Sequence, residues 1–215
     1  MTLDAEKRLA AEAAAELVED GMLVGLGTGS TVGYLLPALA RRGLRVRCVA
    51  TSPATESAAR ELGLAVESFS GLDAPARLDV AIDGADQAAP DGWLVKGGGA
   101  AHTREKAVAA AADRFVVVVD SSKLVERVAP PVPLELSAFG LAATLQRLGT
   151  VTLRDAAQSP DGGMIADFTG SFDDARKLAD RLSAEPGVVE HGLFAPELVS
   201  DVVVAIGDTA EVRRL

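Results

Sequence analysis

At 215 residues the chain has room for one large domain, or for a domain with a small satellite. A formal charge of −10 excludes a general nucleic-acid surface, which needs clustered Lys and Arg against phosphate, but leaves open a small phosphorylated ligand in a local basic pocket. Apolar residues make up 48% of the sequence and aromatic ones 4%, so the core is built from Ala, Val and Leu, as suits buried parallel strands under alanine-rich helices.

In chain order, residues 4–19 form an alanine-rich amphipathic helix with Leu9, Ala13 and Leu17 on one face. Residues 22–26 read as a buried strand, and Gly27-Thr28-Gly29-Ser30-Thr31 turns into a helix running to about Arg42. A strand at 44–50, a helix at 54–62 and a short strand at 65–68 follow, then a stronger strand at 78–82 ending in Asp83-Gly84-Ala85-Asp86. Strand 93–96 reaches Lys96, three glycines follow, and a helix runs through 112. Strand 115–119 is wholly apolar and ends in Asp120-Ser121-Ser122-Lys123. Strands alternating with helices imply right-handed crossovers and a mainly parallel, Rossmann-like sheet with helices on both faces. The lone cysteine, Cys48, sits in the apolar run 46–50 and reads as a small core residue. The N-terminus is charged and helical rather than a signal peptide, and no apolar run is long enough to span a bilayer, so the expectation is a soluble, cytoplasmic protein.

The proline cluster at 129–133 reads as a linker. Beyond it come a strand at 134–136, a helix at 138–148, a strand pair at 151–154 and 164–168, a helix at 173–184 and a strand at 188–194. That order is the split βαβ of a ferredoxin-like α+β subdomain. The apolar run 199–206 returns to the first sheet, so the expected domains are 1–129 with 199–215, and 130–198.

Four polar loops each follow an apolar strand: residues 28–31, 83–86, 96–99 and 121–123. In an open parallel sheet the carboxyl ends of the strands form the ligand crevice. These loops hold two acids and two of only five lysines, which favours a site over chance. The first loop fails as a dinucleotide fingerprint, because Ser30 and Val32 stand where glycine is needed and no acid ends the second strand. It is not a Walker loop either. A compact anion seat fits better, with the hydroxyls of Thr28, Ser30 and Thr31 and free N–H groups at the helix start holding one phosphate. Mere helix capping accounts for one of those hydroxyls, not three. In the third loop, Gly97-Gly98-Gly99 can line a concave wall with N–H groups, Lys96 adds a positive charge and Glu105 a carboxylate just inside the helix. An electrophilic wall facing a base is what proton transfer beside a carbonyl requires.

GLGTGST, DGAD, KGGGAAHTREK, DSSK and the closing PGVVEHGLF, in this order and at these spacings, closely resemble ribose-5-phosphate isomerase of type A over nearly the whole chain. The resemblance implies a homo-oligomeric, cofactor-free and metal-free enzyme, a dimer or a tetramer, that interconverts D-ribose 5-phosphate and D-ribulose 5-phosphate in the non-oxidative pentose phosphate pathway. By motif matching, Glu105 is the proton-transferring base. Thr28, Gly29, Ser30, Thr31, Asp83, Gly84, Ala85, Asp86, Lys96, Gly97, Gly98, Gly99 and Lys123 line the substrate site. Lys7 also matches a basic position of the family. Two departures stand out: Gln87 where the family usually continues DGAD with an acid, and His102 where an apolar residue is usual. His102 and His191 are expected to be structural.

These residues suggest a mechanism in which one carboxylate moves a proton between adjacent carbons through an enediolate. Lys96 and the glycine amides would stabilise the oxyanion. Asp83 and Asp86 would hold sugar hydroxyls, Asp83 could assist ring opening, and Lys123 with the first loop would hold the phosphate. A non-catalytic sugar-phosphate sensor would need an output element such as a basic helix-turn-helix, and none is visible.

Overall fold

The computed structural model describes residues 2–214, with 156 and 157 described by backbone alone. Along the chain run α1 (Leu3–Ala15), β1 (Leu23–Leu26), α2 (Ser30–Arg42), β2 (Arg47–Ala50), α3 (Pro53–Glu61), β3 (Ala65–Val66), β4 (Val80–Gly84), β5 (Gln87–Ala88) and β6 (Leu94–Val95). Then come α4 (His102–Ala111), β7 (Phe115–Asp120), β8 (Val132–Leu136), α5 (Leu141–Leu148), β9 (Val151–Gln158) and β10 (Met164–Phe168). The chain closes with α6 (Ala175–Ser183), β11 (Val188–His191), β12 (Leu193–Phe194), β13 (Asp201–Ile206) and β14 (Thr209–Arg214). Local chemistry sets several boundaries. Thr2, Ser52 and Asp174 accept backbone N–H groups at the starts of α1, α3 and α6, satisfying donors that a helix leaves open. Pro53, at the first position of α3, has no N–H to lose.

Two compact units emerge: Met1–Ala85 with Arg104–Leu124 and Glu197–Leu215, and Asp86–Thr103 with Val125–Pro196. The first contains a seven-stranded sheet in the order β14-β13-β7-β4-β1-β2-β3. Every pairing in it is parallel except that of β13 with β14. Strands β1 and β7 are buried along their whole length, as suits the Leu-Val-Gly-Leu of one and the four consecutive valines of the other. Alanines of α1 (Ala10, Ala11, Ala14) and leucines of α2 (Leu35, Leu36, Leu39) share the core with Val24, Ile82, Val116 and Val203. The apolar run after residue 199 does rejoin this sheet, with Val203 of β13 opposite Val118 of β7. Strand β14 went unrecognised in the sequence because its residues are polar and largely exposed, as an edge strand's are.

The second unit holds an antiparallel sheet in the order β11-β8-β10-β9, with α5 and α6 in the two crossovers: the ferredoxin-like βαββαβ expected. Its core joins Leu134, Leu136, Ala166 and Phe168 to Leu178 and Leu182 of α6. A separate three-stranded antiparallel sheet, β12-β6-β5, also lies here. This corrects the sequence reading, which put the strand before Lys96 among the parallel strands. β5 and β12 have two residues each, too few to show periodicity. The strand expected over 188–194 is likewise broken at Gly192, whose N–H donates to Pro133 O (2.7 Å) while its carbonyl accepts from Lys96 N (2.9 Å). Its first half then pairs with β8 and its second with β6.

Candidate active site

Three of the predicted loops leave parallel strands of the first unit. After β1, Gly27 N–H donates to Ile82 O (3.0 Å) and Thr28 N–H to Asp83 Oδ1 (3.1 Å). Asp83 is buried, and the same oxygen accepts from Gly84 N at 2.7 Å, so the first loop and the DGAD turn are tied through one carboxylate. A side chain at Gly27 would overlap that carboxylate. Gly29 takes φ +123°, and α2 then begins at Ser30 with no side chain capping it. Capping is therefore not what the hydroxyls do, and the first-turn amides of α2 stay available to an anion. Ser30 is exposed, while Thr28 and Thr31 are half-buried. The Thr28 hydroxyl pairs with that of buried Thr51 at 2.7 Å, and the Thr55 hydroxyl donates to Gly27 O at 2.9 Å.

After β7, residues Ser121–Lys123 form a 3₁₀ turn. Asp120 accepts from Ser122 N (2.9 Å) and from the Ser122 hydroxyl. Glu6 of α1 accepts from Ser121 N (3.0 Å), the Ser121 hydroxyl (2.6 Å) and Gly207 N (2.8 Å). The Ser121 hydroxyl first, then these amides, hold the Glu6 carboxyl below its ordinary value. Lys123, half-buried, closes this turn. Glu105 lies in the first turn of α4 and is 4% exposed.

The fourth loop belongs to the second unit. Lys96 is 2% exposed, with Nζ 5.4 Å from the centre of the Phe194 ring, a cation–π placement. Gly97 takes φ +108°, and a Cβ there would stand 2.7 Å from both His102 Nδ1 and Pro133 Cβ, so only glycine fits. Gly98 N–H donates to Asp86 Oδ2 (2.7 Å) and Ala100 N–H to Gly97 O (3.1 Å). Ala100 itself sits at φ +62°, a left-handed conformation that costs a non-glycine residue roughly 1–2 kcal/mol. Arg154 of β9 donates from Nη1 to the carbonyls of Gly97 (2.9 Å) and Gly98 (3.2 Å). Asp167, beside it, holds the Arg154 guanidinium above the ordinary arginine range against the opposing effect of burial. The start of α4 is anchored by Thr103, whose hydroxyl donates to buried Glu135, which also accepts from the Ser159 hydroxyl at 2.5 Å.

Within the units, then, Thr28 meets Asp83, and Asp86 meets Gly98; Asp86 divides from Asp83, Gly84 and Ala85 at the boundary between units. Sequence reasoning missed Glu6, Thr51, Glu135 and Arg154. Each reaches its loop from a distant part of the chain and carries no local motif. The Gln87 amide donates to Ala129 O (2.9 Å) and accepts from Ala129 N (2.8 Å), a two-way pairing that a carboxylate could not make. His191 Nδ1 accepts from Leu193 N (3.2 Å) and its Nε2 lies 3.0 Å from the Ser183 hydroxyl, so the ring ties the β11–β12 turn to α6. His102 is fully buried, its ring packed on Gly97. Cys48 is buried, its thiol pushed up to about 12 by burial and by Glu67. Among the described residues no three His, Cys, Asp or Glu side chains are grouped to hold a metal ion, and no helix is long and apolar enough to cross a membrane.

A parallel sheet with an uncapped helix start at one strand end, and a buried carboxylate in the first turn of a later helix, defines the class: an α/β enzyme for a small anionic substrate. The family described as ribose 5-phosphate isomerase A (phosphoriboisomerase A) matches residues 47–209. The ribose-5-phosphate isomerase A of Halobacterium salinarum is 47% identical over 97% of this chain and 95% of its own length. That of Caulobacter vibrioides is 44% identical over 90% and 91%. Among solved structures, the isomerase A of Neisseria gonorrhoeae superposes with a TM-score of 0.93 at 32% identity, covering 99% of this chain and 97% of that one. A D-ribose-5-phosphate isomerase in complex with phospho-erythronic acid gives 0.92 at 32% identity, covering all of both chains. The chain belongs to the ribose 5-phosphate isomerase A family. It is an aldose–ketose isomerase acting on ribose 5-phosphate.

Proposed function

We propose that Glu105 carries the proton in the interconversion of D-ribose 5-phosphate and D-ribulose 5-phosphate, and that an enediolate is the intermediate. The observation that carries this is a buried carboxylate in the first turn of the helix that directly follows the glycine loop, in a chain of this family. In the open-chain aldose, Glu105 takes the proton from C2. The C–H electron pair forms the C1–C2 double bond, and the carbonyl pair moves onto O1. The carboxylic acid then returns the proton to C1. Transfer of the O2 proton to O1 leaves the carbonyl at C2, and nothing is gained or lost overall.

The developing oxyanion needs positive potential already in place, and burial makes it stronger. Lys96, almost wholly buried, and the glycine amides are suited to supply it. Asp83 and Asp86 take sugar hydroxyls, and the ties of Asp83 to Thr28 and of Asp86 to Gly98 hold those carboxylates in fixed directions. The Thr28, Gly29, Ser30 and Thr31 loop and Lys123 hold the phosphate, which aligns C1 and C2 against the base. A cytoplasmic homodimer working in the pentose phosphate pathway completes the reading.

Glu105→Gln is the test. Exchange of the C2 proton with solvent should stop and kcat fall by about two to four powers of ten, the range of a general base, while binding of phospho-erythronic acid persists. Near-normal turnover in this variant would refute the assignment.

A further inference from the structure

The guanidinium of Arg154 is held on both edges. Its Nε and Nη2 donate to Asp167 Oδ2 (2.8 Å) and Oδ1 (2.7 Å), the bidentate geometry that fixes the plane of the fork. Its Nη1 donates to the carbonyls of Gly97 and Gly98. A trans peptide is planar, with C=O and N–H pointing in opposite directions. Pinning the Gly97 carbonyl therefore sets the direction of the Gly98 N–H, and pinning the Gly98 carbonyl sets that of Gly99. The Gly98 N–H is taken by Asp86. Gly99 is exposed, and its N–H finds no hydrogen-bond partner among the described residues. A run of three glycines has little of its own to choose a conformation, since glycine samples both signs of φ. The direction in which the Gly99 amide points is imposed from β9.

We propose that Arg154 is a positioning residue of the isomerase: tethered by Asp167, it locks the Gly97–Gly98 and Gly98–Gly99 peptide planes so that the Gly99 N–H is aimed at the oxyanion of the intermediate. This rests on the reading of the glycine amides as the oxyanion wall. The same guanidinium also places a positive charge at the carbonyl ends of both peptides, which stays there throughout the reaction. Arg154 itself touches no reacting atom. Its removal should therefore raise the barrier without loosening the phosphate seat.

The test compares Arg154→Lys, Arg154→Ala and Asp167→Asn with the parent enzyme, by steady-state kinetics on ribose 5-phosphate and by competitive inhibition with inorganic phosphate. Lysine keeps the charge but not the two-edged fork. Arg154→Lys should lower kcat about 10- to 100-fold, as loss of a supporting contact does, with KM and the phosphate inhibition constant within about twofold of the parent. Asp167→Asn, which frees the fork but leaves it in place, should lose less. Millimolar guanidinium should restore part of the kcat of Arg154→Ala. Should the alanine variant fail to fold, judged by its urea transition, the lysine variant and its phosphate inhibition constant decide alone. A kcat for Arg154→Lys within about twofold of the parent would overturn the proposal, as would a loss shared equally by phosphate affinity. So would a folded Arg154→Ala that guanidinium does not rescue. If Glu105→Gln is inert while Arg154→Lys is normal, only this inference fails; if Glu105→Gln exchanges protons normally, the underlying reading fails whatever Arg154 does.

Discussion

The two glycine-bearing loops make opposite use of similar sequences. Both follow a strand and precede a helix, and both have a glycine with φ well above zero, Gly29 at +123° and Gly97 at +108°. The first loop is held by its neighbours in a parallel sheet: Ile82 and Asp83 on β4 beside it, and Thr51 and Thr55 after the adjacent β2. Its helix start is left uncapped, which suits a fixed phosphate dianion. The second loop, beside the two-residue strands β5 and β12, is held by a carboxylate on one amide and a guanidinium on two carbonyls: Asp86 at Gly98, Arg154 at Gly97 and Gly98, with His102 and Pro133 against Gly97. The grips on the first loop come from the strands next to it in the parallel sheet, an arrangement open to many α/β chains. On the reading proposed above, a wall that meets charge only as it develops needs preorganisation, which the Asp167-tethered Arg154 fork supplies at two carbonyls.

The comparison breaks most readily at Gly97. Gly97→Ala puts a methyl against His102 and Pro133 at a positive φ, and strain plus overpacking should cost about 3 kcal/mol, read as a lowered urea midpoint. Its kcat should fall while inorganic phosphate still inhibits at the parental concentration; an unchanged kcat would show that the loop does not need this conformation. A smaller effect is expected in the first loop. Thr51→Val removes the partner of the Thr28 hydroxyl, a hydrogen bond worth about 1 kcal/mol, so KM should rise up to about fivefold with kcat held. A kcat defect at constant KM would move Thr28 from phosphate binding to chemistry.

Smallest is the effect at Glu6, which steadies the turn bearing Lys123. Its carboxyl lies below the ordinary value of 4.5 in the folded protein, so its stabilisation is present above the unfolded value and lost as pH falls through the folded one. Glu6→Gln should therefore lower the urea midpoint at neutral pH, with the gap to the parent narrowing as pH drops below about 4.5. A gap that stays constant down to low pH would show that the contribution of Glu6 is not its charge.

Much of this was legible along the chain. Unbroken apolar runs such as 115–119 announce buried parallel strands because both faces are covered, and helices read over 138–148 and 173–184 announce the crossovers of the ferredoxin-like unit, found at Leu141–Leu148 and Ala175–Ser183. The four polar loops and Glu105 could be placed because each sits beside a strand end or a helix start that the sequence itself marks. What could not be read were very short or polar strands and side-chain ties between distant positions. Two-residue strands have no period, β14 has no apolar face, and Arg154 lies 57 positions from the Gly97 carbonyl it holds. Sequence alone marked which groups are chemically suited to the proposed reaction, since glycines, a lysine and a glutamate each announce what they can do. Only the tertiary structure decided how the glycine loop is held, because a run of glycines takes its conformation from whatever grips it.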